Sequence, residues 1–406
     1  MVAAPEKCQA HIAVTGLEAR TIPAPRLGAL TGYNSPPERR SLTAWRDRRA
    51  AAAEKLHRDG FSDVLATVQS ALVVSDCEHH GAILQSLAAG MRLVLLSFIY
   101  QAAPGPQTPP VNADIVPGRG FSGSTTGIRL SWQGLAAKKR AALARARWAH
   151  WGSDFTTAHR EAAARLAVPL NRLTTRRGFQ MPWSYRLPTL FLLSDRADFP
   201  TRPMAHETFA GPMVLRPRTP GEMAEGLRAF LQDVPGTHRI YAAFGSIRQP
   251  PKRFVRALAE VARTNPSWRV LIANLDPTTL GEPPPDNMAF VPWAPQLEAL
   301  GVADCAIFHG GAGTLNECLA TATPMLIYPN ALDGKGNGAR VVAHGLGTIG
   351  AYDDSAEAVA HDIRHVLTAP DIRARLKEHQ AHVAQMADAR IAERVIAQVL
   401  EGPKSV

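Results

Sequence analysis

The sequence contains no uninterrupted run of 18 or more apolar residues, and its N-terminus lacks a basic start followed by an apolar stretch. These two absences argue against a membrane-spanning helix and a signal peptide, so we expect a cytoplasmic protein. Cysteine is also scarce: the four residues are Cys8, Cys77, Cys305 and Cys318, with no CxxC pair. Neither a zinc site nor a disulfide framework is indicated, and we expect core thiols.

Acidic residues are underrepresented in the first half of the chain. Residues 1–210 hold 26 Lys and Arg against 15 Asp and Glu, a balance of +11, whereas 211–406 hold 19 against 20, a balance of −1. The asymmetry favours a boundary near the middle and an anionic partner for the first half, although a high arginine content is equally typical of genomic base composition. No zinc-finger spacing, RNP-like aromatic strand or helix-turn-helix pattern occurs, so we do not expect nucleic acid as a partner.

The chain of 406 residues is long enough for two domains of about 200 residues each. In its second half, short apolar runs alternate with helical patterns, which predicts crossover units and a parallel sheet covered on both faces. The predicted strands there are 238–246, 268–274, 288–291, 303–308, 324–329 and 347–350, with helices at 251–265, from about 312 and near 337–344, followed by terminal helices.

The first half shows the same alternation less regularly, with strand candidates at 71–76, 93–98 and 189–194. Between them, the Gly- and Pro-rich stretch 103–127 predicts a loop near a cleft. We therefore predict an α/β protein of two Rossmann-like domains. Its predicted divisions are a first domain at 1–215, a linker at 216–237, a second domain at 238–385 and a C-terminal helix at 386–406 that returns toward the first domain.

One glycine-rich stretch, FHGGAGTLNE at 308–317, directly follows a predicted strand. Ligands of parallel sheets bind beyond the carboxyl ends of the strands, where glycines let the backbone approach an anion and a helix N-terminus offers free N–H groups. A nucleotide diphosphate fits this pattern, with His309 donating to a phosphate oxygen and Glu317 accepting from ribose hydroxyls.

Two further motifs stand in order around this turn: VPWAPQLEAL at 291–300 and PMLIYPNALDGKGNGA at 324–339. With them, residues 240–400 resemble the family-1 nucleotide-sugar glycosyltransferases, a group that includes UDP-glucuronosyl, plant secondary-metabolite and bacterial macrolide enzymes. The resemblance implies the GT-B architecture, in which two Rossmann-like domains face each other across a cleft. It also implies inverting, metal-independent transfer of a sugar from a UDP- or dTDP-sugar to a hydroxyl of a small hydrophobic or lipid-like acceptor.

The resemblance assigns the donor nucleotide to the second domain. It implies stacking of the base on Trp293, base and ribose contacts from Ala294, Gln296 and Glu317, pyrophosphate contacts from His309, Gly311, Gly313 and Thr314, and a nucleotide-side loop at Ser246. It implies binding of the donor sugar by Asp333, Gly334 and Asn337. The family's usual Asp-Gln pair is Asp333-Gly334 here. The missing side chain disfavours glucose or glucuronic acid and favours a different or deoxygenated sugar.

The N-terminus departs from the family pattern. The stretch GLEARTIP at 16–23 resembles the family's third strand, so the N-terminal sheet is expected to lack its first strands and the loop that carries the catalytic histidine. We expect a truncated start. Asp76 occupies the position of the carboxylate that orients that histidine, whose partner is missing from this chain. His79 and His80 are either substitutes for it or plain polar residues at a helix start.

No metal and no cofactor are expected, because no DxD pair follows a strand and a helix N-terminus can bind the leaving diphosphate. The stretch 130–152 predicts a basic helix with Trp132, Trp148 and Trp151. Such a helix suits peripheral contact with a membrane that holds a lipid-linked acceptor, or it is an ordinary surface helix.

Two functions of other classes compete with transfer. The first is a catalytically inactive relative that binds nucleotide or a partner protein, which the missing histidine and Gly334 favour. The second is a 2-epimerase of UDP-sugars, since these enzymes share the fold, but the Trp293–Gln296 motif argues against it.

Overall fold

We analysed a computed structural model of the chain. The residues that the structure describes are 1–4, 12–13, 16–22, 43, 46–47, 61–68, 70–100, 103–150, 155–175, 184–214, 225–245, 249–330 and 333–402.

Two parallel sheets organise the fold. The strands are β1 Val2–Ala4, β2 Ala19–Thr21, β3 Leu72–Asp76, β4 Arg92–Ser97, β5 Thr174–Thr175, β6 Ser184–Tyr185, β7 Thr189–Phe191, β8 Glu207–Phe209, β9 His238–Ala243, β10 Trp268–Ala273, β11 Met288–Val291, β12 Cys305–Phe308, β13 Met325–Ile327 and β14 Gly347–Ile349.

Helices fill most of the connections between these strands. They are α1 Phe61–Thr67, α2 His80–Ala88, α3 Thr125–His150, α4 Phe155–Arg165, α5 Leu170–Leu173, α6 Glu225–Leu231, α7 Lys252–Thr264, α8 Gln296–Val302, α9 Ala312–Thr321, α10 Gly334–Ala343, α11 Ala356–Thr368, α12 Pro370–Asp388 and α13 Ile391–Glu401.

The second half forms a six-stranded parallel sheet in the order β11-β10-β9-β12-β13-β14. Its central strands β9 and β12 read IYAA and CAIF where they are buried, because helices cover both faces and leave no solvent side for polar residues. The order reverses between β9 and β12, which pair Ala243 with Phe308 at their carboxyl ends. This reversal opens a crevice at that edge of the sheet.

The first half forms a smaller parallel sheet of four described strands in the order β3-β4-β7-β8. Side chains of β4 alternate between its two faces. Leu93 and Leu95 pack in one core with Ile83 and Leu84 of α2, whereas Val94 packs on the opposite face with Leu190 and Ala392. The prediction of a two-domain α/β fold with a reduced N-terminal sheet is confirmed.

Two short strands precede this sheet. Val2–Ala4 pairs in parallel with Ala19–Thr21, so the stretch that resembles the family's third strand does contain a strand. The preceding strand β1 was not predicted, because three small residues carry no recognisable strand pattern. Among the described residues, β1 and β2 form a sheet of their own.

The structure shows where the predicted linker and the predicted C-terminal helix pack. Within the predicted linker 216–237, helix α6 buries Leu227 and Phe230 in the core of the second sheet. At the C-terminus, α13 packs on the first sheet through Ala392, and Arg92 of β4 donates to the carbonyl of Gly402 at 3.1 Å. The boundaries themselves stay a prediction.

Candidate functional site

The glycine turn predicted to bind phosphate joins β12 to α9. Gly310 has φ +83°, and a Cβ atom there would lie 2.7 Å from the carbonyl oxygen of Gly334, so only glycine fits. Gly311 caps α9 without a side chain, and the helix begins at Ala312. The first turn of α9 thus presents backbone N–H groups and the positive end of its dipole to the crevice.

His309 stands at the entrance to this turn and is half-buried. Burial lowers its pKa below the ordinary value, and the Ala243 carbonyl and the Asp333 carboxylate only partly oppose that shift. The imidazole is therefore neutral near pH 7, with one ring nitrogen able to donate a hydrogen bond.

A polar network joins α8 to α9 beside the turn. The Gln296 amide donates to Thr314 Oγ1 at 3.0 Å and to the Glu317 carboxylate, while the Tyr241 hydroxyl donates to Gln296 Oε1 at 3.3 Å. Burial raises the pKa of Glu317, and the hydrogen bond from Gln296 opposes that rise. The structure thus brings together three of the residues predicted to contact ribose and pyrophosphate.

Trp293 lies in the loop after β11, at the same edge of the sheet, and its large side chain is 65% exposed. The neighbouring Ala294 is buried at 7% exposure. An indole that packs on so little of its own domain offers a free face on which a planar base can stack.

The predicted sugar-binding residues start the next helix. Asp333 is the N-cap residue of α10, and the Asn337 amide donates both to Asp333 Oδ2 at 2.9 Å and to the Gly310 carbonyl at 2.8 Å. Asn337 thereby joins the carboxylate predicted to bind the sugar to the turn predicted to bind phosphate. Burial raises the pKa of Asp333, opposed by this hydrogen bond and by His309.

Gly334 stands where the family has a glutamine, and its backbone surroundings explain the substitution. A Cβ atom at this position would lie 2.5 Å from the backbone oxygen of His309. Since backbone cannot move aside as the tip of a flexible side chain can, the first turn of α10 accommodates no side chain there. The first turn of α10 therefore carries no amide side chain at this position.

Two carboxylates of the first domain lie at the carboxyl end of β3. Asp76 ends β3 with an exposed side chain that accepts the Glu78 backbone N–H at 2.7 Å. Glu78, which sequence reasoning did not single out, is half-buried. Burial raises its pKa most, with the charges of Asp76 and of Asp333 from the other domain adding to the rise. The contribution of Asp333 to the raised pKa means that Glu78 lies close enough to this carboxylate of the second domain for their charges to interact.

The two histidines considered as substitutes differ in their surroundings. His80 is 2% exposed, and its Nδ1 lies 3.1 Å from the Tyr185 hydroxyl, which lies 2.7 Å from Nε2 of His159. Burial lowers the pKa of His80 to about 4 and that of His159 to about 3, so both rings are neutral core groups. His79 is half-buried at the N-cap position of α2.

Some predicted residues lie elsewhere or cannot be placed. Ser246 and Trp151 lie outside the described residues. On the predicted basic helix, now α3, Trp132 is buried and donates to the Thr108 carbonyl at 2.7 Å, whereas Trp148 is 72% exposed. Over the described ranges, no helix is long and apolar enough to cross a membrane. No group of three or more potential metal ligands occurs in that same part of the chain.

Residues 269–399 match the family described as the C-terminal domain of erythromycin biosynthesis protein CIII-like proteins. The chain is 30% identical over 161 residues to oleandomycin glycosyltransferase of Streptomyces antibioticus, which covers 39% of this chain and 37% of that protein. It is 33% identical over 110 residues to zeaxanthin glucosyltransferase of Pantoea ananas, which covers 27% and 26% of the two chains. The likeness is to macrolide-type family-1 glycosyltransferases. The predicted resemblance is confirmed, although these sequence matches span well under half of the relatives' lengths.

Solved structures extend the likeness to the whole fold. The glycosyltransferase of kitacinnamycin superposes with a TM-score of 0.66 at 17% identity, over 98% of this chain and 90% of that one. The calicheamicin glycosyltransferase CalG4 superposes with a TM-score of 0.63 at 17% identity, over 97% and 89%. At such identities the likeness concerns the fold alone, and it confirms the predicted GT-B architecture.

Proposed function

We propose that the protein is an inverting, metal-independent glycosyltransferase that moves a sugar from a UDP- or dTDP-sugar to a hydroxyl of a small hydrophobic or lipid-like acceptor. The observation that carries the proposal is the double hydrogen bond of Asn337, which joins Gly310 of the phosphate turn to Asp333. This arrangement supports a nucleotide sugar as the ligand, because such a ligand needs a partner for its phosphates next to a partner for its sugar hydroxyls. Oleandomycin glycosyltransferase, to which 39% of this chain is similar, and the glycosyltransferase VinC, solved in complex with dTDP, support this choice of ligand.

On the donor side, the roles follow the surroundings of each residue. Trp293 stacks on the base, and Glu317, held by Gln296, accepts from ribose hydroxyls. The amides around Gly311, Gly313 and Thr314 bind the pyrophosphate together with His309. Asp333 accepts from hydroxyls of the sugar, and the lack of an amide side chain at Gly334 favours a sugar that needs no amide partner, such as a deoxygenated one.

The leaving group is stabilised by groups already in place. When the bond between the anomeric carbon and the phosphate oxygen breaks, negative charge develops on the diphosphate at the N-terminus of α9. Helix N–H groups act there without reorganising, which is the source of most electrostatic catalysis.

On the acceptor side, the proposed reaction needs a base on the face opposite the leaving diphosphate. The acceptor oxygen forms its bond to the anomeric carbon while its proton passes to a carboxylate of the first domain. Glu78 suits this role, because its raised pKa makes it a stronger base than an ordinary carboxylate. Asp76 orients it by accepting its backbone N–H.

A hydrophobic acceptor is supported by the surface next to these carboxylates. Asp76 pairs in register with Leu96 of β4, and Phe98, two residues beyond Leu96, is 49% exposed at the same edge of the sheet. An exposed aromatic ring beside the proposed base provides apolar contact for an aglycone.

Peripheral membrane contact through residues 130–152 is the finer part of the proposal. In its support, Trp148 and Leu130 of α3 are exposed at 72% and 48%, on a helix without acidic residues. Vesicles of phosphatidylglycerol should co-sediment the protein, and Trp148→Ala should weaken this binding. Equal recovery with neutral phosphatidylcholine vesicles would contradict the attraction to anionic lipid, and no recovery with either would remove the membrane from the proposal.

The test of the donor site is calorimetric binding of UDP, dTDP and GDP to the wild type and to His309→Ala. The proposal expects a preference for one diphosphate and about tenfold or more weaker binding in the variant, the value of one hydrogen bond to a charged group. His361→Ala, an exposed histidine on α11, serves as the matched control and should bind as the wild type does. If none of the three diphosphates binds, the proposed donor site is wrong.

A catalytically inactive nucleotide-binding relative is the second candidate. Gly334, which carries no amide side chain where the resemblance implies a glutamine, favours it. It predicts diphosphate binding without consumption of any donor.

A further inference from the structure

Helix α10 carries more than the sugar-binding residues. Asp333, Asn337, Arg340 and His344 are spaced by four, three and four positions, so they lie on one face of the helix. The first two belong to the proposed donor site. The last two contact the first domain instead, which makes α10 a direct physical link between donor and acceptor halves.

Arg340 is the centre of that link. Its side chain is 1% exposed, and its Nε and NH2 groups both lie 2.8 Å from Oδ1 of Asp198, whose side chain is 2% exposed. Its guanidinium also stacks on the rings of Tyr100 and Phe199, at 4.6 and 4.5 Å from their centroids. Asp198, Tyr100 and Phe199 all belong to the first half of the chain, so a charge of the second domain is fully desolvated inside the first.

The arginine is equally well fixed to its own helix. Its NH1 donates to the Gly336 carbonyl at 3.2 Å, and Asp198 Oδ1 accepts the Phe199 backbone N–H at 2.8 Å. One turn later, Nε2 of His344 lies 2.9 Å from the Asp198 carbonyl. Backbone groups thus hold both partners of the ion pair, and these contacts fix the orientation of the guanidinium relative to the carboxylate.

The start of α10 also contacts the first domain, and this contact is made by its backbone. A Cβ atom at Gly336 would lie 2.0 Å from the carbonyl oxygen of Val111 in the first domain. Nearby, the Asn316 amide of α9 donates to the Leu192 carbonyl at 2.9 Å. The first turn of α10 therefore packs directly on the first domain, and Arg340 holds the helix in this position.

We propose that Arg340 is a positioning residue for sugar transfer: by binding Asp198, it holds the Asp333 end of α10 at a fixed distance from the acceptor-side carboxylates. The inference rests on the proposed function. Transfer requires the acceptor oxygen and the anomeric carbon to approach to about 3–3.5 Å, so a shift of α10 by about 1 Å would be felt in the chemistry. The phosphate turn directly follows β12 and Trp293 follows β11, whereas Asp333 belongs to α10 itself, so we expect the contact to affect sugar recognition more than nucleotide binding.

Binding measurements separate an effect on the sugar from an effect on the nucleotide. A panel of UDP- and dTDP-sugars is first tested on the wild type to find the one that binds most tightly. We then measure the dissociation constants of that nucleotide sugar and of its diphosphate, UDP or dTDP, for the wild type, Arg340→Lys and Asp198→Asn. Lysine keeps the charge but cannot make the two-nitrogen contact or the double stacking. Asparagine keeps the shape and removes the charge. Melting temperatures confirm that each variant folds.

The expected result is selective loss of sugar recognition. The diphosphate binds both variants within about threefold of the wild type, while the ratio of the nucleotide-sugar constant to the diphosphate constant rises by about tenfold, as for a lost hydrogen bond to a charged group. Arg364→Lys is the matched control, because this arginine of α11 also lies over an aromatic ring, Trp268 at 5.9 Å, but within the second domain. Its ratio should stay at the wild-type value.

Three results would overturn the inference. An unchanged ratio in both variants means that the contact does not position the sugar site. Parallel weakening of diphosphate and nucleotide sugar, together with a lower melting temperature, means that Arg340 is merely structural. Wild-type protein that binds no diphosphate contradicts the proposed function itself, and this role of Arg340 with it.

Discussion

Single residues of the site are constrained mainly by backbone that lies close to them. Gly334 is the clearest case, because a Cβ atom at this position would clash with the backbone oxygen of His309. The departure from the family's Asp-Gln pair is readable in the sequence. Its physical reason is not, since it depends on a segment 25 positions away that only the fold brings near.

Replacing Gly334 by alanine should lower the free energy of unfolding by about 1–3 kcal/mol, the usual effect of overpacking. Urea unfolding of the variant measures this. Gly301→Ala, at an exposed position of α8 where a Cβ meets nothing within 4 Å, is the control and should be neutral or slightly stabilising. Equal stability of the two variants would show that the close approach at Gly334 relaxes without cost.

Glu78 gives the second prediction at this scale. Glu78→Gln should reduce transfer by about 100-fold, within the range of general-base catalysis, while leaving diphosphate binding unchanged. Because the pKa of Glu78 is raised, its basic form is lost as the pH falls through that raised value. Wild-type turnover should therefore decline on the acid side at a pH above the ordinary carboxylate range. Full activity of the variant would assign the base elsewhere.

Secondary-structure elements were predicted well where their patterns are local. The strands at 268–274, 288–291 and 303–308 lie within one or two residues of β10, β11 and β12. Helix α10 begins at Gly334 rather than near 337, because Gly334 and Gly336 hide the helical pattern of its first turn. Both glycines are required by backbone packing, which propensity does not report.

Contacts between elements could not be predicted. The buried cluster of His80, Tyr185 and His159 joins α2, β6 and α4 across more than 100 positions of sequence. The pattern of an isolated histidine pair at a helix start gives no indication of such partners. The same holds for Arg340 and Asp198, which lie 142 positions apart.

That histidine cluster predicts acid sensitivity of the first domain. The pKa values of His80 and His159 are lowered to about 4 and about 3, chiefly by burial, with His79 and Arg160 nearby adding to the effect. The unfolded chain binds these protons near pH 6.5 and the folded one does not. Stability is therefore complete above about pH 6.5 and falls as the pH drops toward 4, by about 1.4 kcal/mol per unit for each histidine.

The check is urea unfolding between pH 4 and 7 for the wild type and for His80→Asn/His159→Gln, in which amides replace the hydrogen-bonding nitrogens. The double variant should show a shallower loss of stability with falling pH. His361→Gln, a change at an exposed histidine, should leave the slope unchanged. A double variant as steep as the wild type would place the acid sensitivity in other groups.

At the scale of the whole molecule, similarity of fold to known glycosyltransferases extends over much more of the chain than similarity of sequence does. Sequence matches of about 30% identity cover 39% of the chain, whereas the fold superposes over 98% of it at 17% identity. Under the proposed function, the donor half binds a chemically constant group, a nucleotide diphosphate, which accounts for its recognisable motifs. The acceptor half would need only shape and a base, which accounts for the few signals in its sequence beyond Asp76.

The most direct test of the proposed transfer is release of nucleotide diphosphate from a panel of UDP- and dTDP-sugars, with water and 4-methylumbelliferone as acceptors. The proposal predicts release from at least one donor, unaffected by EDTA, and reduced by about tenfold or more in Asp333→Asn, as for a lost charged hydrogen bond. Binding of a diphosphate without consumption of any donor would contradict it and would identify an inactive relative.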